Sequence, residues 1–143
     1  MALIDAAFPP GGTPPRTLAQ GDDIDSGRVA VNPVAAPPDW RDVSDTDLEA
    51  HHCGMPHLDP ASWRFYLPAF LRYAAHHGTE GGLVVDACVC AVRLPDLDPP
   101  RLATLSAAQR AAVKAVLQHL ADGDDDAAQQ VLTEYWLAAT NPL

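Results

Sequence analysis

A mainly α, single-domain fold is predicted for this 143-residue chain by three observations. Trp63, Tyr66, Leu67, Phe70, Leu71 and Ala74 recur at the three-then-four step of an amphipathic helix, so one face of that segment is apolar. Ser44 with Asp47, and Ser106 with Gln109, stand at capping-box spacing ahead of apolar-periodic runs. The β-branched run at about 82–92 would suit a strand or a helix by period alone, but no convincing partner strand exists elsewhere, so it reads as a buried helix. The expected architecture is a compact bundle over 1–143, with a kinked central helix at 60–77, a C-terminal helical hairpin, and irregular Pro/Gly-rich loops at about 9–16 and 27–38.

Taken in order, Ala2 to Phe8 makes two helical turns with Leu3, Ile4 and Phe8 or Ala7 inward, and Pro9-Pro10-Gly11-Gly12 ends them. Thr17 to Gln20 opens a short helix, against which Gly21 and the aspartates at 22, 23 and 25 count. A short edge strand fits about 28–31. Ser44 starts a helix expected to run to about Cys53, with Val43 and Leu48 at staple spacing and an acidic first turn that suits the macrodipole. Asp59-Pro60 is a start signal of cap plus first-position proline, and Gly78 a stop. Pro68 interrupts the segment between them, removing one ladder hydrogen bond and crowding the carbonyl four residues back. A bent helix, or a turn at about 61–67 followed by a helix at about 68–77, is expected. Pro95 to Pro100 closes the run before it, and Ser106 opens a helix with Val113, Val116, Leu117 and Leu120 on one face. Asp126 then caps a last helix carrying Val131, Leu132, Tyr135 and Trp136 inward.

Composition narrows the function classes. Nine basic against nineteen acidic residues give a net charge of −10, which disfavours a nucleic-acid partner and favours a basic protein. The first 60 residues carry three Arg against ten Asp and Glu, so that half holds most of the field. No apolar run approaches the roughly 20 residues that cross a bilayer, and Met1 to Pro10 lacks a basic region and long apolar segment, so neither membrane insertion nor a secretory signal is expected. Three cysteines, an odd number in a chain long enough to fold on its own core, read as reduced thiols in a cytoplasm.

His51, His52, Cys53 and His57 lie close in sequence and are the candidate metal ligands, with His76-His77 and Cys88-x-Cys90 farther on. Their spacing is poor for zinc: adjacent helical residues point a quarter-turn or more apart, and Cys-x-Cys lacks the usual gap. The expectation is therefore surface histidines and buried thiols, with no metal and no cofactor. No G-x-S-x-G, Walker or H-E-x-x-H motif is present. A Cys53–His57 pair is separated by Gly54 and Pro56, and Asp124-Asp125-Asp126 lacks the ligand spacing of a calcium loop. No catalytic residue is assigned.

Phe65-Tyr66-Leu67-Pro68-Ala69-Phe70-Leu71, then Leu105 to Gln109, then Ala128 through Tyr135-Trp136, carry a resemblance over about 3–137. The chain resembles a family of small bacterial proteins known as a domain of unknown function, with a Tyr-Leu-Pro-Ala signature and a terminal Tyr-Trp. The resemblance implies a compact helical fold with Trp40, Tyr66, Pro68 and Trp136 as framework, and implies no catalytic residues.

Two function classes remain. One is a non-catalytic acidic protein-binding module, in concrete form an immunity or antitoxin-type inhibitor of a basic partner. Asp42, Asp45 and Glu49 fall on one side at helical spacing, with His52 continuing it, and form the expected partner-facing row. The alternative is a metal-binding protein or enzyme using the His/Cys cluster.

Overall fold

Side-chain caps set where the helices begin. The computed structural model of the protein describes residues 2–29, 35–93 and 99–137. Helix α1, Ala2–Ala7, turns Ile4 and Ala7 inward. Helix α2, Leu18–Asp25, opens with a capping box in which Thr17 accepts from Gln20 and Gln20 reaches back. Ser44 and Asp47 form the expected box on α3, Asp45–His51, and the staple residues Val43 and Leu48 are both buried. Asp59 caps α4, Pro60–His77, from the predicted position. Helix α5 is Gly82–Ala91, so the β-branched run is helical. Pro99 and Pro100 open a short α6, Pro99–Ala103, where the prolines by themselves predict only the end of the preceding run. Ser106 and Gln109 box α7, Ala107–Asp122. The last helix, α8, Asp126–Val131, is capped by Asp125 rather than Asp126. Asp124 supplies the left-handed turn before it, at φ 66°, a conformation that short polar side chains tolerate. Beyond α8 the chain continues as a π-helical turn, Leu132–Leu137. No strand occurs among the described residues; Arg28 and Val29 belong to no strand, and the rest of the strand expected at about 28–31 lies outside the described residues.

Helix α4 is one element, not two. Pro68 sits inside it and is itself buried, along with Trp63, Phe65, Tyr66, Leu67, Phe70 and Leu71. Proline removes a single donor, that to the Arg64 carbonyl, whereas burying each of these side chains contributes roughly 1.5–3 kcal/mol; packing on several sides outweighs the broken rung. Helices α1, α5, α6 and α7 all pack on α4. Helices α7 and α8 form the expected hairpin, with α8 resting on α7 and α5. Val131, Leu132 and Trp136 are buried there and Tyr135 partly so.

Polar side chains tie the irregular segments to this core. Trp40 Nε1 donates to the Phe8 carbonyl at 2.8 Å, fixing the end of α1 against the 3-10 turn Trp40–Asp42. Arg72 on α4 donates to the carbonyls of Arg41 and Val43, and Ser62 Oγ receives the Arg16 N–H at 2.9 Å. Arg101 reaches the carbonyls of Pro56 and Leu58. These arginines satisfy backbone oxygens that a turn-rich stretch leaves without ladder partners.

Candidate functional site

The acidic row is built on α3 and leans on the C-terminal half of α4. Asp42 ends the 3-10 turn before the cap, and Asp45 and Glu49, four apart, share a face of α3. Tyr73 Oη donates to Glu49 Oε1 at 3.0 Å, and His77 Nε2 meets Asp45 Oδ2 at 3.1 Å. The Tyr73 and His77 rings lie against each other, centroids 4.1 Å apart, with His76 edge-on to His77. Burial pushes the Tyr73 phenol up, and the hydrogen bond to Glu49 with the charges of Glu49 and Asp45 adds to it, so the hydroxyl stays a donor. All three carboxylates remain exposed. His52 does not continue the row outward: its Nδ1 turns back to the Glu49 carbonyl at 3.1 Å.

The His/Cys candidates are drawn apart by a feature that spacing rules do not express. Helix α3 runs only to His51, short of Cys53, and a 3-10 turn, His52–His57, follows. That turn packs directly on α2 through Gly21 and Gly54. A Cβ on Gly54 would collide with the Leu18 carbonyl oxygen, and one on Gly21 with the Gly54 carbonyl. The contact is backbone to backbone, and glycine alone allows it. It places His51 Nδ1 3.3 Å from Asp22 Oδ2 and His57 Nε2 2.9 Å from Asp25 Oδ1, while Arg16 holds the His57 carbonyl. Each histidine thus has its own acid or carbonyl, and Cys53 stands exposed. Among the described residues no three His, Cys, Asp or Glu side chains are grouped as a metal would need. Cys88 is buried and Cys90 exposed, as two-residue spacing on a helix dictates; burial, with Cys90 nearby, pushes the Cys88 thiol up to about 12.

Two clefts bear on chemistry. The first, of about 230 Å³, is lined by Thr17, Asp47, His51 and Tyr66 among apolar neighbours, so the Asp22-oriented His51 opens onto a phenol and a hydroxyl. Burial pushes the Tyr66 phenol up, the Leu18 backbone partly offsetting it. The second, of about 210 Å³, lies between the loop after α1 and α4. Sequence spacing points to neither, because each is assembled from several separate segments, from Thr17 to Tyr66 in the first and from Phe8 to Gln109 in the second.

No helix among the described residues is long and apolar enough to cross a membrane. No curated protein and no solved structure shows a significant match to the chain. A family model described as "Family of unknown function (DUF6714)" matches residues 3–140, which is nearly the whole helical domain, and the chain belongs to that family.

Proposed function

We propose that this protein is a non-catalytic acidic module that binds a basic protein partner through Asp42, Asp45 and Glu49, in concrete form as an immunity or antitoxin-type inhibitor working in the cytoplasm. One observation carries the reading. Tyr73 and His77 hold the Glu49 and Asp45 carboxylates in place while leaving them exposed, so part of the ordering a binding surface must undergo is already complete. The net charge of −10 supplies the long-range field that steers a cationic surface toward such a row and repels nucleic acid. Bare exposed carboxylates would contribute little; fixed ones gain from a defined geometry.

The test replaces Asp42→Asn, Asp45→Asn and Glu49→Gln together, keeping the hydrogen-bonding shape toward α4 while removing three charges. Capture of the partner retrieved by the unmodified protein is then followed by surface plasmon resonance at several salt concentrations. Slower association with a flatter salt dependence is expected. An unchanged rate and salt slope makes the row solvent-facing dressing and sinks the reading.

The pairing of His51 with Asp22 beside Tyr66 favours a second reading, an enzyme using His51 as a general base. A His51→Gln variant that retains partner capture but loses a measurable turnover would move the assignment there.

A further inference from the structure

We propose that the cleft between the loop after α1 and the first half of α4 binds a small carboxylate with an apolar body. This site is independent of the acidic row. Its walls are Trp40, Phe65, Pro14 and Pro68, flat or rigid surfaces that give up little rotamer freedom when a ligand packs against them, and its space is about 210 Å³.

Two side chains in this cleft have unused hydrogen-bonding capacity. Gln109 is only 3% exposed, and its Oε1 is committed to the Ser106 N–H at 2.9 Å as part of the α7 capping box. Its Nε2 amide donates to no acceptor among the described residues, and the cleft is the space that Gln109 lines. The Trp63 Nε1 is the atom that is both fully buried and unpartnered among the described residues, so the Gln109 Nε2 is reached by solvent through the cleft, where a ligand oxygen can replace water as its acceptor. Arg64, exposed on the same wall, makes no hydrogen bond or ion pair among the described residues. Its fellow arginines are otherwise engaged: Arg16, Arg72, Arg101 and Arg110 with backbone carbonyls, Arg28 and Arg41 with carboxylates, and Arg93 with the Tyr135 hydroxyl. In a protein of net charge −10, a guanidinium left without any of the abundant carboxylates is positioned away from them. An amide donor, a planar cation and aromatic walls together match a carboxylate carried on a ring or short chain.

The probe is phenylacetate, titrated into uniformly ¹⁵N-labelled protein, with the neutral phenylacetamide as its control. Saturable shifts are expected at the Gly11 and Gly12 amides and at the Gln109 side-chain amide, with Kd about 1 mM, a weak affinity suited to few contacts. Phenylacetamide should bind roughly fivefold more weakly, the scale of one partly exposed charge-assisted contact. Arg64→Gln should abolish that difference. Gln109→Glu, which keeps the capping acceptor but replaces the donor with a negative charge, should abolish saturation by phenylacetate with the melting curve retained. The proposal is overturned by shifts that do not saturate or that fall away from Gly11, Gly12 and Gln109. Equal binding of acid and amide by the parent protein overturns it too. If Gln109→Glu does not fold, Arg64→Gln, changing an exposed residue, decides the matter alone.

Discussion

At the scale of single residues, the three tryptophans differ in one atom's surroundings. All are buried, yet Trp40 and Trp136 donate through Nε1, to the carbonyls of Phe8 and Val92 at 2.8 and 2.7 Å, whereas the Trp63 Nε1 has no partner among the described residues. Substituting phenylalanine removes similar ring area at each site, but at Trp136 it also leaves the buried Val92 carbonyl unsatisfied. Trp136→Phe is therefore expected to destabilise more than Trp63→Phe by about 1–3 kcal/mol, read from urea midpoints. Equal losses would mean that the Trp63 N–H is satisfied by an ordered internal water. Asp59 gives a second prediction. Burial pushes its carboxyl up, but the bond from the Ser62 hydroxyl and those from the backbone N–H groups of Ser62 and Ala61 together outweigh it and hold the carboxyl below its ordinary value of 3.8. A depressed carboxylate contributes its stability above the unfolded value and loses it as pH falls through the folded one. Asp59→Ala should cost about 0.5–2 kcal/mol at neutral pH. The part of that gap owed to ionisation should close only below pH 3.8. Melting curves of both proteins across the acid range check the sign.

At the scale of elements, a close backbone contact joins α2 to the 3-10 turn, His52–His57. Gly54→Ala would force the Leu18 carbonyl and the Asp22 N–H, both backbone groups, to move. A loss of about 1–3 kcal/mol or more is expected, because backbone cannot yield as a flexible side chain would. Gly11→Ala, with nothing within 4 Å of the added methyl, should stay within about 0.5 kcal/mol. If the two variants melt together, α2 does not depend on this approach. The hairpin offers its own test. Trp136 is 2% exposed at the end of the π-helical turn, and Trp136→Ala should cost about 3–5 kcal/mol in chemical denaturation. An unaltered midpoint would make that terminal turn peripheral.

At the scale of the whole molecule, the thiols report whether the bundle opens as one unit. Cys53 and Cys90 are exposed and Cys88 is buried in α5, its thiol pushed up to about 12. Two thiols should react promptly with an aromatic disulfide reagent at neutral pH. The third should react only at the rate of global unfolding, since a buried thiol with little thiolate is inert until the helix leaves the core. Prompt reaction of all three would show that α5 opens independently of α4. The charge distribution also acts at this scale, because exposed pairs such as Arg28–Asp23 are screened by salt while the buried core is not.

Local chemistry made much of this protein legible from its sequence. The boxes at Ser44 and Ser106, the Asp59-Pro60 start and the Gly78 stop act within a few residues, so the types and starts of α3, α4 and α7 follow from them. The helical state of α5 is not legible from its own period and follows from the rest of the chain, which offers no partner strand. Tertiary packing decided the rest. It kept α4 continuous through Pro68, since apolar burial along the helix exceeds the worth of one hydrogen bond. It brought Gly21 to Gly54, a contact between segments 33 positions apart that turns two residues readable as helix breakers into a docking surface. With that contact came the separation of His51, His52, Cys53 and His57 into individual bonds, and the pairing of Asp45 and Glu49 with α4. Spacing along a chain reports which residues share a helix face; which distant element meets that face is set by shape and burial, and these exist only once the bundle has closed.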